Sequence, residues 1–403
     1  MINNEIKPEK IIMVGVCSDG YDIDRSLDEL AELIKTAGGE VVGRITQNLD
    51  YTNNKTYVGS GKIEEIAQFI DILEADAICC DDELSPVQMR NLNDILHVTI
   101  MDRTMVILDI FAKRAATHEG KIQVELAQMQ YRAAKLIGLG KQMSRTGGGI
   151  GTRGPGEKKL EIDRRRIHDR ISILKKEVAE VVKHRDTARK SRKRNNMKVA
   201  AIVGYTNAGK STLLNTLTGA DILSEDKLFA TLDPTTRVLE LNNNQEMLLT
   251  DTVGFISKLP HNLIDAFKST LEEAVYADII IHVVDASDPE YDMKMKVVYD
   301  TLHSLKVENK PVITLFNKCD ALDREEILID RNAAKFLRIS AKTGLGLEEF
   351  RQVLVDFLRA GKKYKEIFVP FSEMGKLYSI KDGNEIIEEK YEEDGVYLKG
   401  YFR

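Results

Sequence analysis

The sequence predicts an α/β protein built from four parts in chain order. These are a parallel α/β subdomain, a long antiparallel helical hairpin, a second α/β domain with a mostly parallel sheet and helices on both faces, and a small α+β module. Short apolar runs alternate with amphipathic stretches near the start and again after Lys198, which is typical of strands separated by helices. Between these regions the apolar residues follow helical spacing alone. We place the parts at 1–115, 116–196, 197–364 and 365–403.

The composition is that of a multidomain protein of the soluble class. The chain has 403 residues, of which 43% are hydrophobic and 30% are charged, so it can form several cores. It shows neither an apolar run long enough to span a membrane nor the apolar centre of a signal peptide. Its four cysteines fit no zinc spacing and no disulfide framework. We therefore expect a cytoplasmic protein without a membrane span, and we expect it to be a monomer.

The first part carries four short apolar runs, and an amphipathic stretch with helical spacing lies between each run and the next. Strands that alternate with helices in this way form a small parallel sheet covered by helices. The predicted strands are 11–16, 41–45, 75–80 and 98–102.

Two apolar stripes with steps of three and four residues predict the helical hairpin. The first stripe ends near Gly138 and Gly140, where we expect a loop to begin, and the second helix should run from about Glu157 to Arg194. Two amphipathic helices joined by a loop bury their stripes against each other. The stripes are Ile122, Leu126, Met129, Ala133 and Leu136, then Ile167, Ile171, Leu174, Val178 and Val181.

The tip of this hairpin is rich in glycine and in basic residues. Six glycines fall within 147–156. The range 141–194 contains 18 Lys and Arg but only 7 Asp and Glu, although the whole chain has a net charge of −6. The tip lacks the GxxxxGK[ST] pattern of a phosphate loop. It can instead be a flexible linker, a solvated charged helix or a surface that binds a polyanion. A basic element in an acidic chain indicates polyanion binding. The predicted RNA contacts are Arg145, Arg153, Lys158 and Lys159.

The stretch 198–217 predicts a phosphate-binding loop, because a strand, a GxxxxGKS segment and a helix follow one another. In this motif backbone N–H groups surround the phosphates, Lys210 reaches the β and γ oxygens, and the Ser211 hydroxyl binds Mg²⁺. The helix also directs its positive dipole end at the anion. The predicted contacts are Gly204, Tyr205, Thr206, Asn207, Ala208, Gly209, Lys210 and Ser211.

Three later motifs complete a predicted P-loop GTPase domain. Asp251 ends an apolar run and can hold Mg²⁺ through water, while the Gly254 amide can contact the γ-phosphate. Asp320 can accept hydrogen bonds from the N1–H and exocyclic amine of guanine, which adenine does not offer as a pair. We therefore predict GTP hydrolysis, with Lys210 and Gly254 as catalytic residues. The motifs are Asp251-Thr252-Val253-Gly254, Asn317-Lys318-Cys319-Asp320 and Ser340-Ala341-Lys342.

The region 226–237 should contain a mobile switch that supplies a threonine to Mg²⁺ and the γ-phosphate. Thr231, Thr235 and Thr236 all compete for this role, and spacing does not rank them. After Gly254 the chain has Phe255, where many GTPases have a Gln that orients the attacking water. We therefore expect slow intrinsic hydrolysis that a partner stimulates.

Several segments resemble the HflX family of translational GTPases over essentially the whole chain. The segments are GYTNAGKSTL, LFATLDPTTR, DTVGFI, VGSGKIEEI, MSRTGGG and GGGIGTRGPGEKKLE. The resemblance implies that the N-terminal domain and hairpin bind the large ribosomal subunit and its rRNA, and that the protein dissociates stalled or idle ribosomes. It also implies that Thr231 joins Ser211 on Mg²⁺. The predicted switch contacts to GTP are Phe229, Ala230, Thr231, Leu232 and Asp233.

Other functions are compatible with the sequence. The first alternative is a GTP-dependent RNA-modification or ribosome-assembly factor, and the second is a GTPase whose helical arm binds a protein or an acidic membrane. The family resembled also implies ATP binding at the N-terminal side, for which the loop 58–62 (VGSGK) is a candidate, although Gly-Ser before a helix is usually a simple cap. The acidic run Asp81-Asp82-Glu83 can bind a metal, but such a loop usually faces water.

Overall fold

The computed structural model describes residues 7–17, 22–146, 155–194, 197–219, 228–229, 231–241, 245–260, 268–307, 309–322, 327–381 and 384–402. The chain forms two compact units. The first contains Met1–Val181 together with Lys227–Leu232 and Lys258–Phe267, and the second contains Val182–Asp226, Asp233–Ser257 and Lys268–Arg403. Two short segments of the predicted GTPase domain therefore belong to the first unit.

A four-stranded parallel sheet forms the start of the first unit, as the alternating pattern predicts. Its strands are β1 (Lys10–Cys17), β2 (Glu40–Asn48), β3 (Ala77–Cys80) and β4 (Thr99–Asp102), in the order β2-β1-β3-β4. The chain moves outward from β1 to β2 and then returns to β3 on the other side of β1. The order therefore reverses between β1 and β3, which makes the carboxyl edge there the topological switch point.

Four helices accompany this sheet: α1 (Ile23–Ala37), α2 (Ser60–Leu73), α3 (Pro86–Leu96) and α4 (Arg103–Arg114). Asp22 and Ser85 cap α1 and α3, because each side chain accepts a hydrogen bond from a first-turn backbone N–H. The sequence pattern predicts the first three helices. It misses α4, which begins directly after β4 with Asp102 as its cap.

The predicted hairpin consists of α5 (His118–Thr146) and α6 (Pro155–Arg194). The first helix does not stop at Gly138 and Gly140 as expected, since a glycine inside a helix costs only about 1 kcal/mol and does not break it. The two apolar stripes pack on each other as predicted. The shared core contains Ile122, Leu126, Ala133, Ile171 and Leu174, with Met129, Ile167 and Val178 against it. The glycine-rich tip, 147–154, lies outside the described residues.

The second unit contains a six-stranded sheet in the order β10-β9-β8-β5-β7-β6. All neighbours are parallel except β6 and β7, which are antiparallel. The inner strands are buried almost throughout because side chains on both faces are covered. The strands are β5 (Lys198–Gly204), β6 (Thr235–Leu241), β7 (Gln245–Asp251), β8 (Ile279–Asp285), β9 (Val312–Asn317) and β10 (Lys335–Arg338).

Helices between these strands supply the rest of the core. They are α7 (Lys210–Thr218), α8 (Lys268–Tyr276), α9 (Tyr291–Ser304) and α10 (Leu347–Arg359). In α10, Phe350 and Leu354 are fully buried and pack with Leu213 and Leu214 of α7 in one cluster. The predicted α/β fold class is thus confirmed.

The last residues form a small antiparallel sheet, as predicted, from β11 (Lys363–Pro370), β12 (Glu385–Glu392) and β13 (Gly395–Phe402) in the order β11-β13-β12. A 3₁₀ turn (Phe371–Lys376) and α11 (Leu377–Lys381) connect β11 to β12. Arg359 at the end of α10 donates two hydrogen bonds, of 2.7 and 2.6 Å, to the buried carboxylate of Glu385. This bidentate ion pair joins the module to the GTPase sheet. Among the described helices none is long and apolar enough to span a membrane.

A buried histidine makes the stability of the second unit depend on pH. His282 lies in β8 with its side chain 1% exposed, in edge-to-face contact with Tyr299. Burial lowers the pKa of His282, Asp330 opposes this shift and Lys210 adds to it, so that the pKa is about 4. The imidazole is therefore neutral in the folded protein at physiological pH.

We predict that acidification removes part of the folding stability through His282. The unfolded chain takes up this proton below its ordinary pKa of about 6.5, whereas the folded chain does not until about pH 4. The contribution of His282 to the free energy of unfolding is complete above pH 6.5. It falls by at most about 1.4 kcal/mol per pH unit as the pH drops towards 4. Denaturant unfolding from pH 7 to 4.5 should show a shallower pH dependence in His282→Phe than in the parent. The same change at the exposed His303 serves as the control, and equal slopes for all three proteins would refute the assignment.

Candidate functional site

The four predicted nucleotide motifs follow strands of one parallel sheet. The phosphate loop follows β5, Asp251 ends β7, and Asn317 ends β9. Because the carboxyl ends of parallel strands lie at one edge of the sheet, the motifs meet there. The 3₁₀ turn Cys319–Ala321 and the loop at Ser340 complete this edge.

The shape of the phosphate loop depends on the backbone conformation of Gly209. Gly209, directly before α7, has φ +93°, and a Cβ there would lie 2.2 Å from Asn317 Nδ2. Only glycine fits both the left-handed conformation and the close approach. An anion at the N-terminus of α7, whose first residues are Lys210 and Ser211, would meet the first backbone N–H groups of a helix.

Lys210 is buried within the loop that it serves. Its Nζ donates to the Tyr205 carbonyl oxygen at 2.7 Å. Burial lowers the pKa of Lys210 to about 8, although the nearby Asp251 favours the charged form. A phosphate oxygen would replace one neutral acceptor with a charged one, so nucleotide binding should raise this pKa.

Ser211 and Asp251 lie together at the base of α7. The Ser211 hydroxyl donates to Asp251 Oδ2 at 2.9 Å, and the Asp251 side chain is buried. One hydroxyl and one carboxylate are oxygen donors of the kind Mg²⁺ takes while keeping several waters. The described residues contain no group of three or more His, Cys, Asp or Glu placed to hold a metal.

The segment after Asp251 is hydrogen-bonded to the phosphate loop. Phe255 N donates to the Gly204 carbonyl at 3.1 Å, and Thr206 N donates to the Phe255 carbonyl at 2.8 Å. The Tyr205 hydroxyl accepts a hydrogen bond from Ser257 N at 2.7 Å and forms a second one with the Ser257 hydroxyl at 2.7 Å. A Cβ on Gly254 would lie 3.0 Å from Lys210 Nζ. Gly254 therefore lies against the group expected to bind phosphate.

Three side chains that follow Asp251 are buried from solvent. Thr252 donates to the Ile202 carbonyl at 2.7 Å and is fully buried, and Phe255 is 2% exposed. Val253 is also buried. Phe255 packs in the interior, so this position supplies no polar group to a water at the phosphate edge.

Asn317 connects the phosphate loop to the base motifs. Its Nδ2 donates to the Ala208 carbonyl at 2.9 Å, and its Oδ1 accepts from Ala341 N at 2.8 Å. Both bonds are buried, since Asn317 is 2% exposed. Sequence reasoning places Asn317 among the nucleotide contacts, and the structure shows that it also holds two motifs at a fixed separation.

The remaining base residues lie around Asn317. Lys318 pairs with Asp285 at 2.7 Å, and Asp320 is exposed, so its carboxylate is accessible to a base. Cys319 is partly buried and Lys342 is exposed, whereas Ser340 is buried and its hydroxyl accepts from Thr343 N at 3.1 Å. Sequence reasoning missed Asp285. The sequence could have indicated this residue, because Asp285 ends the apolar strand IIIHVVD in the same way as Asp251 ends β7.

The switch residues separate into two groups. Phe229 and Leu232 are buried in the first unit, and the Phe229 ring meets that of Phe111 edge to face at 4.7 Å. Thr235 and Thr236 lie in β6 opposite Asp251 and Thr250, and the hydroxyls of Thr236 and Thr250 are 3.0 Å apart. Thr231 belongs to the first unit with Phe229 and Leu232, Asp233 begins the part that belongs to the second unit, and Ala230 lies outside the described residues.

The predicted RNA contacts lie on or beside the tip of the hairpin. Arg145 is in the last turn of α5, and Lys158 and Lys159 are in the first turns of α6. The structure does not describe the side chains of these three residues, and Arg153 lies outside the described residues. Their RNA contacts stay a prediction.

Two further predicted features lie in the first unit. In the segment 58–62, whose last three residues begin α2, Gly59 N donates to Gln47 Oε1 at 2.9 Å and Lys62 pairs with Glu65 at 2.7 Å. Both groups have partners within the protein, and ATP binding there stays a prediction. The expectation that the acidic run faces water is wrong for Asp81, which is 0% exposed. Ser26 and Arg103 bind its carboxylate at 2.7 and 2.8 Å, which compensates its loss of hydration.

Comparisons with known proteins cover nearly the whole chain. Three family models match: the N-terminal region of GTP-binding GTPases over 24–112, their middle region over 114–192, and the 50S ribosome-binding GTPases over 199–318. A GTPase HflX of Lacrimispora saccharolytica is 58% identical over 98% of this chain and 93% of its own length. The GTPase HflX of Escherichia coli is 40% identical over 92% of this chain and 89% of its own length.

A crystal structure of SsGBP in complex with GDP aligns with 86% of this chain and 98% of its own chain, at 25% identity and a TM-score of 0.49.

We predict that affinity for GDP falls as the pH rises above about 8. Phosphate binds the protonated form of Lys210, whose pKa is about 8 in the free protein, so each pH unit above that value should weaken binding by up to about tenfold. Isothermal titration from pH 7 to 9 at constant ionic strength measures the effect. Competition by guanosine, which carries no phosphate, provides the control. A GDP affinity that changes no more than that of guanosine would exclude Lys210 as the titrating group.

We also predict that Asp320→Asn changes base preference. The amide cannot accept both hydrogen bonds from guanine, whereas it can donate to the oxygen that xanthine carries at the same position. Affinity for GTP should fall and affinity for xanthosine triphosphate should rise, as measured with fluorescent analogues of both nucleotides. Asp356→Asn, at a helix residue of the same unit, should change neither affinity. A variant with the parental preference for GTP would rule out Asp320 as the base reader.

Proposed function

The chain belongs to the HflX family of GTPases, which bind and hydrolyse GTP, and from this premise we propose that it binds the large ribosomal subunit and dissociates stalled or idle ribosomes. The N-terminal domain and the hairpin make the contact with the subunit and its rRNA. The nucleotide state of the GTPase domain controls binding and release. In this function the protein is cytoplasmic and associates with ribosomes.

The observation that carries this proposal is the basic outer surface of α6. The helix has 40 residues, about 60 Å at 1.5 Å per residue, with 15 Lys and Arg against 7 Asp and Glu. Ile171 and Leu174 bury one face against α5, while Arg164, Arg165 and Arg166 are exposed. Consecutive exposed arginines suit the closely spaced phosphates of folded RNA. The family model over 199–318, described as 50S ribosome-binding, supports the same partner.

Within the GTPase domain we propose the following division of roles. Backbone N–H groups of the loop 204–211 and the Lys210 ammonium bind the phosphates, and the Gly254 amide contacts the γ-phosphate. Ser211 and Thr231 hold Mg²⁺, with Asp251 acting through water, and the metal would neutralise charge on the phosphate oxygens. The family's pattern within FATLD favours Thr231 for this role. Asp320 reads guanine, and Ser340, Ala341 and Lys342 complete the base pocket.

Intrinsic hydrolysis by this site should be slow. Phe255 packs in the interior and cannot hydrogen-bond the attacking water, so a group from elsewhere must orient it. A ribosomal partner that supplies or assembles this group would couple hydrolysis to the completion of its task. Stimulation by ribosomes is therefore part of the proposal.

We predict that the hairpin tip is required for ribosome binding but not for nucleotide chemistry. Replacement of 144–156 by a short Gly-Ser turn should leave GTP affinity and basal hydrolysis intact, because the phosphate loop lies elsewhere in the chain. Co-sedimentation with ribosomes in sucrose gradients, with a non-hydrolysable GTP analogue, should weaken by about tenfold or more and become less sensitive to salt. Release of subunits from 70S particles should decrease in parallel.

The controls separate the tip from the rest of the arm. Arg164→Gln, Arg165→Gln and Arg166→Gln, combined in one variant with an intact tip, should weaken binding through the exposed face of α6. If the shortened protein splits ribosomes as well as the parent, the tip has no role. Binding confined to precursor subunits would instead support the assembly-factor alternative.

A further inference from the structure

One hydroxyl of the phosphate loop has no partner within the protein. Thr206 is 7% exposed, and its Oγ1 atom is buried. Among the residues that the structure describes, no group forms a hydrogen bond with this atom. A buried polar atom without a partner costs free energy, so its presence in a native fold needs a physical explanation.

Two neighbouring hydroxyls of the same site are, in contrast, bonded within the protein. The Ser211 hydroxyl donates to Asp251 Oδ2 at 2.9 Å, and the Thr252 hydroxyl donates to the Ile202 carbonyl at 2.7 Å. The fold thus supplies acceptors to hydroxyls on either side of the phosphate loop but supplies none to Thr206. The acceptor that suits Thr206 must therefore come with a ligand of this site.

The backbone of Thr206 is held in place by hydrogen bonds within the second unit. Thr206 N donates to the Phe255 carbonyl at 2.8 Å, and Phe255 N donates to the Gly204 carbonyl at 3.1 Å. Tyr205 and Phe255 form a parallel β-bridge at the same point. All these residues belong to one unit of the chain. The Thr206 side chain therefore starts from a fixed position beside the segment that contains Gly254.

The Thr206 side chain lies beside the two groups that should contact the γ-phosphate. A Cβ placed on Gly254 would lie 2.9 Å from Thr206 Cγ2 and 3.0 Å from Lys210 Nζ. The Thr206 methyl group and the Lys210 ammonium thus approach Gly254 at the same point. It is the methyl group that makes this approach, while the hydroxyl on the same carbon is left without a partner.

Rotation about a single bond exchanges the methyl and hydroxyl groups of Thr206. Both groups are attached to Cβ, and the staggered rotamers about the Cα–Cβ bond bring either of them to the same place. The contact with Gly254 requires only a branched side chain, which valine would also provide. Packing therefore does not explain the hydroxyl, whereas an anion bound beside Gly254 and Lys210 would give it an acceptor.

From these observations we infer that the Thr206 side chain distinguishes GTP from GDP. Its hydroxyl donates a hydrogen bond to an oxygen of the γ-phosphate, next to the contacts of Gly254 and Lys210. GDP lacks this phosphate, so the hydroxyl gains no such bond in the GDP complex. Hydrogen bonds to charged oxygens are stronger than those between neutral groups, so this one donor changes the relative affinity for the two nucleotides. The inference rests on the roles proposed above for Gly254 and Lys210.

The test measures nucleotide affinity of the purified full-length protein without ribosomes, so it does not depend on the proposed ribosomal function. Thr206→Val keeps the branched shape and removes the hydroxyl. We expect the affinity for a non-hydrolysable GTP analogue to fall about tenfold, as loss of one hydrogen bond to a charged group implies, while the affinity for GDP stays within about twofold. Isothermal titration in the presence of Mg²⁺ measures both affinities. An unchanged affinity for the analogue, or equal losses for the two nucleotides, would overturn the inference.

Two further variants separate the hydroxyl from the shape of the side chain and from general stability. Thr206→Ser keeps the hydroxyl and should bind the analogue within about threefold of the parent. Thr301→Val removes a partly buried hydroxyl that donates to the Val297 carbonyl at 2.7 Å in α9 of the same unit, and should change neither affinity. A serine variant that loses the analogue as the valine variant does would contradict the inference. A selective loss of the analogue in Thr301→Val would contradict it as well.

A last variant tests the site on which the inference rests. Lys210→Met should weaken the binding of both GDP and the analogue, because the lysine reaches the β and γ oxygens. If Lys210→Met binds both nucleotides as the parent does, the proposed phosphate site is wrong. If Lys210→Met weakens both while Thr206→Val weakens neither, the site stands and only the role of Thr206 is wrong.

Discussion

The amide of Asn317 joins the parts of the nucleotide site that the chain keeps far apart. Its two hydrogen bonds fix the carbonyl of Ala208 in the phosphate loop and the backbone N–H of Ala341 in the base loop. Both bonds are buried, where an unpaired amide would be costly, so they hold the two loops at one separation. That separation must match the distance between a guanine base and its phosphates. The parallel order of β5, β8 and β9 makes the bridge possible, because it brings the carboxyl ends of these strands to one edge.

A second set of bonds makes the phosphate loop sensitive to the chain that follows Asp251. The backbone pairing of Phe255 with Gly204 and Thr206, and the Tyr205 hydroxyl on Ser257, form one connected network. A γ-phosphate that contacts Gly254 would therefore act on residues that extend to Ser257. The buried side chain of Phe255 supplies no polar group to a water at this edge.

Basic and acidic residues are distributed unevenly along the chain, and they occupy different places in the fold. Among the α6 side chains that the structure describes, Arg164, Arg165 and Arg166 are exposed, while the apolar stripe of the helix packs on α5. Acidic residues elsewhere include buried carboxylates such as Asp81 and Glu385, and each has an arginine as a close partner. An exposed like-charge face is suited to a polyanionic partner, whereas a buried carboxylate with a fixed arginine specifies a local contact.

The sequence by itself determined the fold class, the strands of the N-terminal parallel sheet, the hairpin and the GTP-binding motifs. These depend on local patterns: alternating apolar runs such as IIMVGV, helical stripes such as that of Ile122 and Leu126, and a phosphate loop whose spacing is dictated by its ligand. Only the tertiary structure decided which distant groups pair. The sequence alone indicates a solvated loop acid at Asp81 and a ligand contact at Asn317. In the structure Asp81 bonds Ser26, 55 residues away along the chain, and Asn317 bonds Ala208 and Ala341, 109 and 24 residues away. Burial and pairing at such separations follow from strand order, which no short window of sequence contains.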